Sequence, residues 1–524
     1  MNDCSRVLAS FLILIGGTCG AWAQDFVWAG RLGGTSTDQG NGVAVDASGN
    51  VYTVGSFAGT ADFDPGPGTF NLTSAGGEDP FVSKLDSAGN FVWARRLGGA
   101  SIDQGSGVAV DANGNVYIVG TFAGTADFDP GPGTFNLTSA GNTEIFVSKL
   151  DGAGNFVWAR RLGGTSNDQG NGVAVDAKGN VFTVGLFAGT ADFDPGTATF
   201  NLTSAGNTET FISKLDGAGN FAWAVRLGGT STDQGNGVAV DATGNVYTVG
   251  SFAGTADFDP GPGTFNLTSA GGEDPFVSKL DAAGNFVWAR RLGGASIDQG
   301  NGVAVDPSGE IITVGTFAGT ADFDPGAATF NLTAAGNTET FVSKLDRAGN
   351  FVWARRLGGA SNDQGNGVAV DASGNVHTVG SFAGTADFDP GPGTFNLTSA
   401  GNTETFVSKL KDCGLLSLRL EPSGSDTRLT WCGPAESTGY DVVRGDLGVL
   451  RSSLGDFSLA TKECLIDNQP VPSLIFSATP ASANGFWFLE RCEGCQGRST
   501  YSSGALSEFE DPDPGIAASG HDCP

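Results

Sequence analysis

Hydrophobic residues fall into short runs along the chain and nowhere form a stripe at helical spacing over two turns. Near the start, Gly42–Asp46 is a short run of small residues, and Asn50–Phe57 and Phe81–Asp86 are β-branched and aromatic. Phe91–Leu97 carries a basic pair near its end. All four are predicted to be strands. Asp46-Ala-Ser-Gly-Asn50 and Asp86-Ser-Ala-Gly-Asn90 link neighbouring strands. Asp bonds to turn backbone and Gly accepts positive φ, so both links read as tight hairpins.

This pattern recurs with a period of 65 residues, starting at Phe26, Phe91, Phe156, Phe221, Phe286 and Phe351. Units one and four differ only at Val27 against Ala222, Gly30 against Val225, Ser48 against Thr243 and Ser87 against Ala282. Units two and five share Ala-Ser-Ile-Asp-Gln at 100–104 and 295–299. The array is therefore a three-unit block duplicated once, and identity between units does not mark any residue as functional. Four strands per unit, six times over, predict an all-β fold, a six-bladed β-propeller over residues 24–411. The chain opens with a lone outer-type strand, Phe26–Leu32, and the array ends on the first three strands of a blade at Leu410. The N-terminal strand is expected to complete the last blade and remove its exposed edge. A solenoid of the same units would need capping repeats, and none is visible.

Asp-Gln-Gly-Asn-Gly-Val-Ala-Val-Asp-Ala-Ser-Gly-Asn-Val-Tyr-Thr-Val-Gly at 38–55 resembles bacterial SBBP-type β-propeller repeats, relatives of NHL-type repeats. Asp62-Phe-Asp-Pro-Gly66 and Phe81-Val-Ser-Lys-Leu-Asp86 fit the same resemblance, which covers residues 26–410. It implies an exported or surface propeller with no assigned activity, and offers no catalytic residues to carry over. After Lys411 the period stops. Leu415–Leu420, Thr427–Trp431 and Gly439–Val443 follow with turn residues between them. That order is similar to fibronectin type III-like sandwiches of bacterial secreted proteins, apart from its cysteines. Residues 412–507 are thus expected to be a cysteine-rich β-sandwich, and 508–524 an acidic, proline-containing tail.

Composition narrows the function. The 524 residues carry 56 acidic and 27 basic side chains, a net charge of -29, which disfavours nucleic acid as a partner. Arg6, the apolar run Val7–Ile15 and Ala21-Trp22-Ala23 read as a signal peptide over residues 1–23, cleaved near Ala23. No later segment is apolar enough for a transmembrane helix, so the mature chain is expected to be secreted or held at the cell surface. Cys413, Cys432, Cys464, Cys492, Cys495 and Cys523 remain after cleavage, an even set in an exported segment that favours disulfides. Cys492-Glu-Gly-Cys495 supplies only half of a zinc site.

Candidate chemistry is repetitive. The Asp-Phe-Asp-Pro-Gly loops pair Asp62 with Asp64, Asp127 with Asp129, Asp192 with Asp194, Asp257 with Asp259, Asp322 with Asp324 and Asp387 with Asp389. Alternating carboxylates before a glycine open many calcium loops, though the closing acidic ligand is missing. The other reading is a hairpin tip with Phe63 packed inward. Asp38-Gln-Gly40 and its equivalents could ring a channel mouth or cap turns. Trp28, Trp93, Trp158, Trp223, Trp288 and Trp353 are expected to pack between blades, and the Arg pairs to be solvated edge charges. Of the two histidines, His377 fills the packing slot held elsewhere by Tyr52 and Tyr117.

Six near-equal units suit multivalent binding better than an acid and a base in different environments. The expected function is a secreted or cell-surface, non-catalytic binding or adhesion scaffold for glycan or protein, with calcium as a candidate stabiliser and no other cofactor. The alternatives are an extracellular carbohydrate-active hydrolase or lyase, and a purely structural spacer.

Overall fold

The computed structural model describes residues 28–410 except Ser373 and Pro392, together with the backbone of six strands between 417 and 493. No helix occurs among the described residues. Each of the first five repeats forms a module of four antiparallel strands in chain order. In module two, Gln104–Val110 pairs with Val116–Phe122, then Glu144–Leu150, then Phe156–Gly164. The hairpin links form as their sequence dictates. Asp111 Oδ1 accepts hydrogen bonds from the N–H groups of Asn113 and Asn115, its Oδ2 accepts from the Asn115 side chain and the Tyr117 hydroxyl, and Gly114 takes φ +79°. An L side chain at that φ would be strained, so the turn selects glycine.

The core lies between modules. Tyr52, Val54, Val82 and Trp93 of module one are buried against Val116, Ile118, Phe122 and Phe146 of module two. Each interior sheet is covered on both faces, which explains why its second and third strands are apolar throughout. First strands of successive modules run side by side, joined by Asn171 Nδ2 to Gly235 O, Asn236 to Gly300 O and Asn301 to Gly365 O at 2.8–2.9 Å. At Gly120 a Cβ would lie 2.0 Å from Gln104 O and 2.7 Å from the Phe146 ring, so backbone and ring close over that position.

The long insertion between the second and third strands is an ordered hairpin. Thr125–Asp127 pairs with Asn136–Thr138, and Gly98–Gly99, at the end of module one's last strand, pairs with Asp127–Ala126. Phe128 at its turn is fully buried and packs on Phe122 and Phe146 with ring centroids 5.5 and 4.8 Å away. The inward phenylalanine was legible in the sequence; the seat on the preceding module was not.

Closure by the N-terminal strand is not seen. Gly33–Gly34 pairs with Asp62–Ala61 of module one, and the sheet of module six holds three strands, Gln364–Val370, Val376–Phe382 and Glu404–Leu410. Beyond 411 the strands form two three-stranded antiparallel sheets. The signal peptide, the tail and the disulfide assignments lie outside the described residues.

Phe128→Ala should cost about 3–5 kcal/mol, the range for losing a buried aromatic ring. Urea unfolding would read it; a loss below ~1 kcal/mol would mean that the hairpin does not anchor the module.

Candidate functional site

Two places concentrate polar chemistry: the junctions between modules and a crevice on the outer rim. At each junction a buried aspartate of the Asp-Gln-Gly segment joins two modules. Asp103 accepts from Gly99 N–H at 2.7 Å, at the end of module one's last strand, and from Ala123 N–H at 2.9 Å in module two. Asp168, Asp233, Asp298 and Asp363 repeat this, and all five are at most 1% exposed. They cap backbone in the interior and do not ring a channel mouth.

A second buried acid stands beside each, on the third strand of the preceding module. Asp79 pairs with Arg96 at 2.8 Å, Glu144 with Arg161 at 3.2 Å, Glu209 with Arg226 and Asp274 with Arg291 at 2.9 Å, and Glu339 with Arg356 at 3.2 Å. Each junction thus buries two carboxylates, one held by backbone N–H groups and the other by a partly exposed guanidinium. Burial pushes these carboxyls above the ordinary range, Asp233 to about 6, with the neighbouring Glu209 and Glu273 charges adding to the rise.

The first arginine of each pair was expected to be a solvated edge charge, and the structure corrects this. Arg95 lies over the Trp93 ring at 5.4 Å and donates to Gly154 O and Ala153 O of the following module at 2.9 and 3.0 Å. Arg160 and Arg290 do the same. Trp93 Nε1 donates to Gly152 O at 3.2 Å and only 5% of the residue is exposed, so the tryptophans pack between modules as expected. Val225 replaces this arginine after module three, and Trp223 there is only partly buried.

The Asp-Phe-Asp loops, expected to be candidate calcium sites, spend their carboxylates on their own turns. Asp127 Oδ1 accepts from Asp129 N–H at 3.0 Å and Phe135 N–H at 2.8 Å, and Asp129 Oδ1 from Gly131 N–H at 2.8 Å. Asp62, Asp192, Asp257, Asp322 and Asp387 repeat the first pattern. Asp64, Asp194, Asp259, Asp324 and Asp389 repeat the second, each capping the glycine two residues on at 2.8 Å. The other oxygen of Asp64 leans over Gly68, that of Asp259 over Gly263 and that of Asp389 over Gly393, where a Cβ would lie 2.2–2.4 Å away. Each pair is therefore brought together, but as a turn cap. Among the described residues no group of three or more His, Cys, Asp or Glu side chains gathers that could hold a metal ion.

His377 sits in the tyrosine slot with Nε2 3.3 Å from Asp371, taking the place of a tyrosine hydroxyl. In module five, where Ile312 fills that slot, the buried Lys344 pairs with Asp306 at 3.0 Å and Glu310 at 2.5 Å.

The rim crevice runs between the hairpin tip Pro195–Ala198, Arg160 and Asn220–Phe221, with a volume of about 400 Å³. A second hollow of about 240 Å³ adjoins it, lined by Phe135, Arg161 and Asp192. Asp194 and Arg160 border both.

The family model described as beta-propeller repeat (SBBP) matches residues 27–56, 92–121, 157–186, 222–251 and 352–381, so propeller repeats of this type are present in the chain. The matches from 92, 157, 222 and 352 each take in nearly all of one module's last strand and most of the first two strands of the next. An uncharacterized WD repeat-containing protein of Acanthamoeba polyphaga mimivirus is 25% identical over 485 residues, covering 76% of this chain and 34% of that protein. The regulatory protein FlaEY of Caulobacter vibrioides is 26% identical over 358 residues, covering 64% of this chain and 34% of that protein. The chain thus spans about a third of the length of these relatives. Among solved structures, the WD40 domain of Neurospora crassa Pan2 aligns with a TM-score of 0.30 at 10% identity, covering 65% of this chain and 86% of that one. A Bacteroides caccae protein of unknown function aligns at 0.29 and 9%, covering 61% and 82%.

Arg160→Val should lower stability by about 1–2 kcal/mol by removing hydrogen bonds across a junction, and Val225→Arg should raise the melting temperature. Equal melting of all three proteins would show that the arginines hold nothing. The junction carboxyls set a pH dependence. Their folded pKa lies above the unfolded value, so their stabilising contribution is complete below pH ~4 and is lost as pH rises, through about 6 for Asp233. Asp241, held down to about 2 chiefly by side-chain bonds from Thr243 and Asn245 that outweigh its burial, acts oppositely: its contribution is present above pH ~4 and is lost toward pH 2. Melting temperature should therefore peak near pH 4, and Asp233→Asn should flatten the fall between pH 4 and 7. A melting temperature that climbs steadily to pH 7 would contradict the buried-acid account.

Proposed function

We propose that this β-propeller repeat protein is an exported, non-catalytic scaffold that binds glycan through its repeated rim crevices. The observation that carries the reading is the crevice beside Arg160, whose lining residues recur along the sequence. Its lining residues Arg160, Asp194, Asn220 and Phe221 have equivalents at Arg95, Asp129, Asn155 and Phe156, and at Arg290, Asp324, Asn350 and Phe351. A guanidinium, a carboxylate, an amide and an aromatic face within one groove match the hydroxyls and ring faces of a sugar chain. Weak contacts repeated along one rigid array add up through effective concentration, which suits a polymeric glycan.

The chemistry at the junctions supports a non-catalytic role, because the acids and arginines there are engaged in holding modules together. The relatives are named as WD repeat-containing and regulatory proteins, which agrees with a scaffold. Export is part of the proposal and follows from the N-terminal sequence. So is a six-bladed ring followed by a fibronectin type III-like domain. Calcium remains a candidate ligand of the Asp-Phe-Asp loops if carbonyls, water or the glycan itself complete the set.

Binding to a panel of polysaccharides, with calcium and with chelator, is the test. Retention on at least one polysaccharide, weakened several-fold by Thr197→Trp, which fills one crevice, would support the reading at unchanged melting temperature. Release of shortened products would make the chain an enzyme. Capture of none would leave a protein ligand or a spacer.

A further inference from the structure

Three junctions hold a guanidinium in one and the same way. Arg95, Arg160 and Arg290 each lie over the tryptophan two residues before, with the guanidinium carbon 5.3–5.4 Å from the ring centre. Each also donates to two consecutive carbonyls in a turn of the following module, as Arg160 does to Gly219 O at 2.8 Å and Ala218 O at 3.0 Å. The aspartate that caps that turn adds its charge: Asp151 for Arg95, Asp216 for Arg160 and Asp346 for Arg290.

Between modules three and four the cradle is built, but its arginine is replaced. Trp223 Nε1 donates to Ala282 O at 3.3 Å, and Asp281 caps the turn through the N–H groups of Ala283 and Asn285. Val225 is too short to reach the carbonyls of Ala283 and Gly284. A Cβ at Gly154, Gly219 or Gly349 would meet the tryptophan at 3.0 Å and the arginine Nε at 3.1 Å. At Gly284 all three nearest atoms belong to Trp223. Trp223 is half-buried, whereas Trp93, Trp158 and Trp288 are only 5–6% exposed. Gly30 lacks the arginine too, but there the Trp28 ring lies tighter on its turn, 2.5 Å from a Cβ at Gly89 against 3.1 Å at Gly284.

We infer that Trp223 and the carbonyls of Ala283 and Gly284 receive an arginine side chain from a basic peptide partner. The partner supplies from outside the guanidinium that three other junctions supply from within. The molecule itself shows the fit: a ring face, two neighbouring acceptors and a carboxylate at the same turn. Two acceptors beside a flat ring select a planar, forked donor over the single ammonium of lysine. The bonds from Arg95, Arg160 and Arg290 to the alanine carbonyl lie at the surface, so an arginine arriving from solution can reach the equivalent acceptor at Ala283. The net charge of -29 draws a basic partner toward the chain. The cradle is distinct from the glycan crevices, each of which contains the arginine, so loss of glycan binding would leave it untouched.

The test is equilibrium dialysis of the full chain against acetyl-Gly-Arg-Gly-amide, with the citrulline and lysine peptides of the same length as controls. The arginine peptide should bind several-fold more tightly than either control, a comparison that needs no variant. Val225→Arg fills the cradle from within and should abolish that binding while the melting temperature holds or rises. Equal binding of the arginine and lysine peptides would reduce the effect to general attraction by an acidic chain and overturn the inference. Equal binding of the citrulline peptide, no binding of the arginine peptide, or arginine binding that survives Val225→Arg would overturn it as well.

Discussion

The array depends on a single contact made over and over: the end of one module's last strand laid across the next and fixed there by a buried aspartate. A lone ionised carboxylate in that position would be costly. Here it takes two backbone N–H donors, one from each module, and the acid beside it takes an arginine. The polar groups therefore join modules where the apolar core alone would permit sliding. Tryptophan and arginine add reach, grasping carbonyls in a turn of the following module.

Much of this fold could be read from the sequence. The period, the strand succession, the Asp-x-x-Gly-Asn turns, the inward Phe63 and the packing slot of His377 all follow from local pattern, and all are present. What escaped were interactions between residues about one repeat apart. Arg95 and Gly154 are 59 positions apart, so nothing near Arg95 marks it as half-buried. Asp103 read as either a channel-mouth acid or a turn cap, because its burial is produced by the module before it. The hairpin seated on Gly98–Gly99 was hidden for the same reason. Asp64, Asp259 and Asp389 posed the opposite difficulty, since alternating carboxylates before a glycine serve a cation and a turn backbone equally well.

Exceptions among the repeats show which parts of the junction can vary. Val225 removes one arginine grasp while Arg226 keeps its ion pair with Glu209. Ile312 removes a tyrosine hydroxyl, and Lys344 opposite it on the neighbouring strand is buried with two acidic partners. The Asn ladder along the first strands has Ser106 in one place. The buried Asp at 103, 168, 233, 298 and 363 is never replaced. Truncating it to alanine would leave two backbone donors without their acceptor at once, one in each module.

Near-identity of the junctions has a consequence for how the chain assembles. A freshly made module presents the same face to its neighbour as to one three units away, so contact energy alone cannot sort right from wrong order. Order is then imposed by connectivity, since the adjacent module arrives first on the shortest tether. Slow or interrupted synthesis favours orderly growth from the N-terminus, whereas refolding of the entire chain from denaturant invites skipped modules and exchange between molecules. For this protein the route to the native state is part of what specifies it.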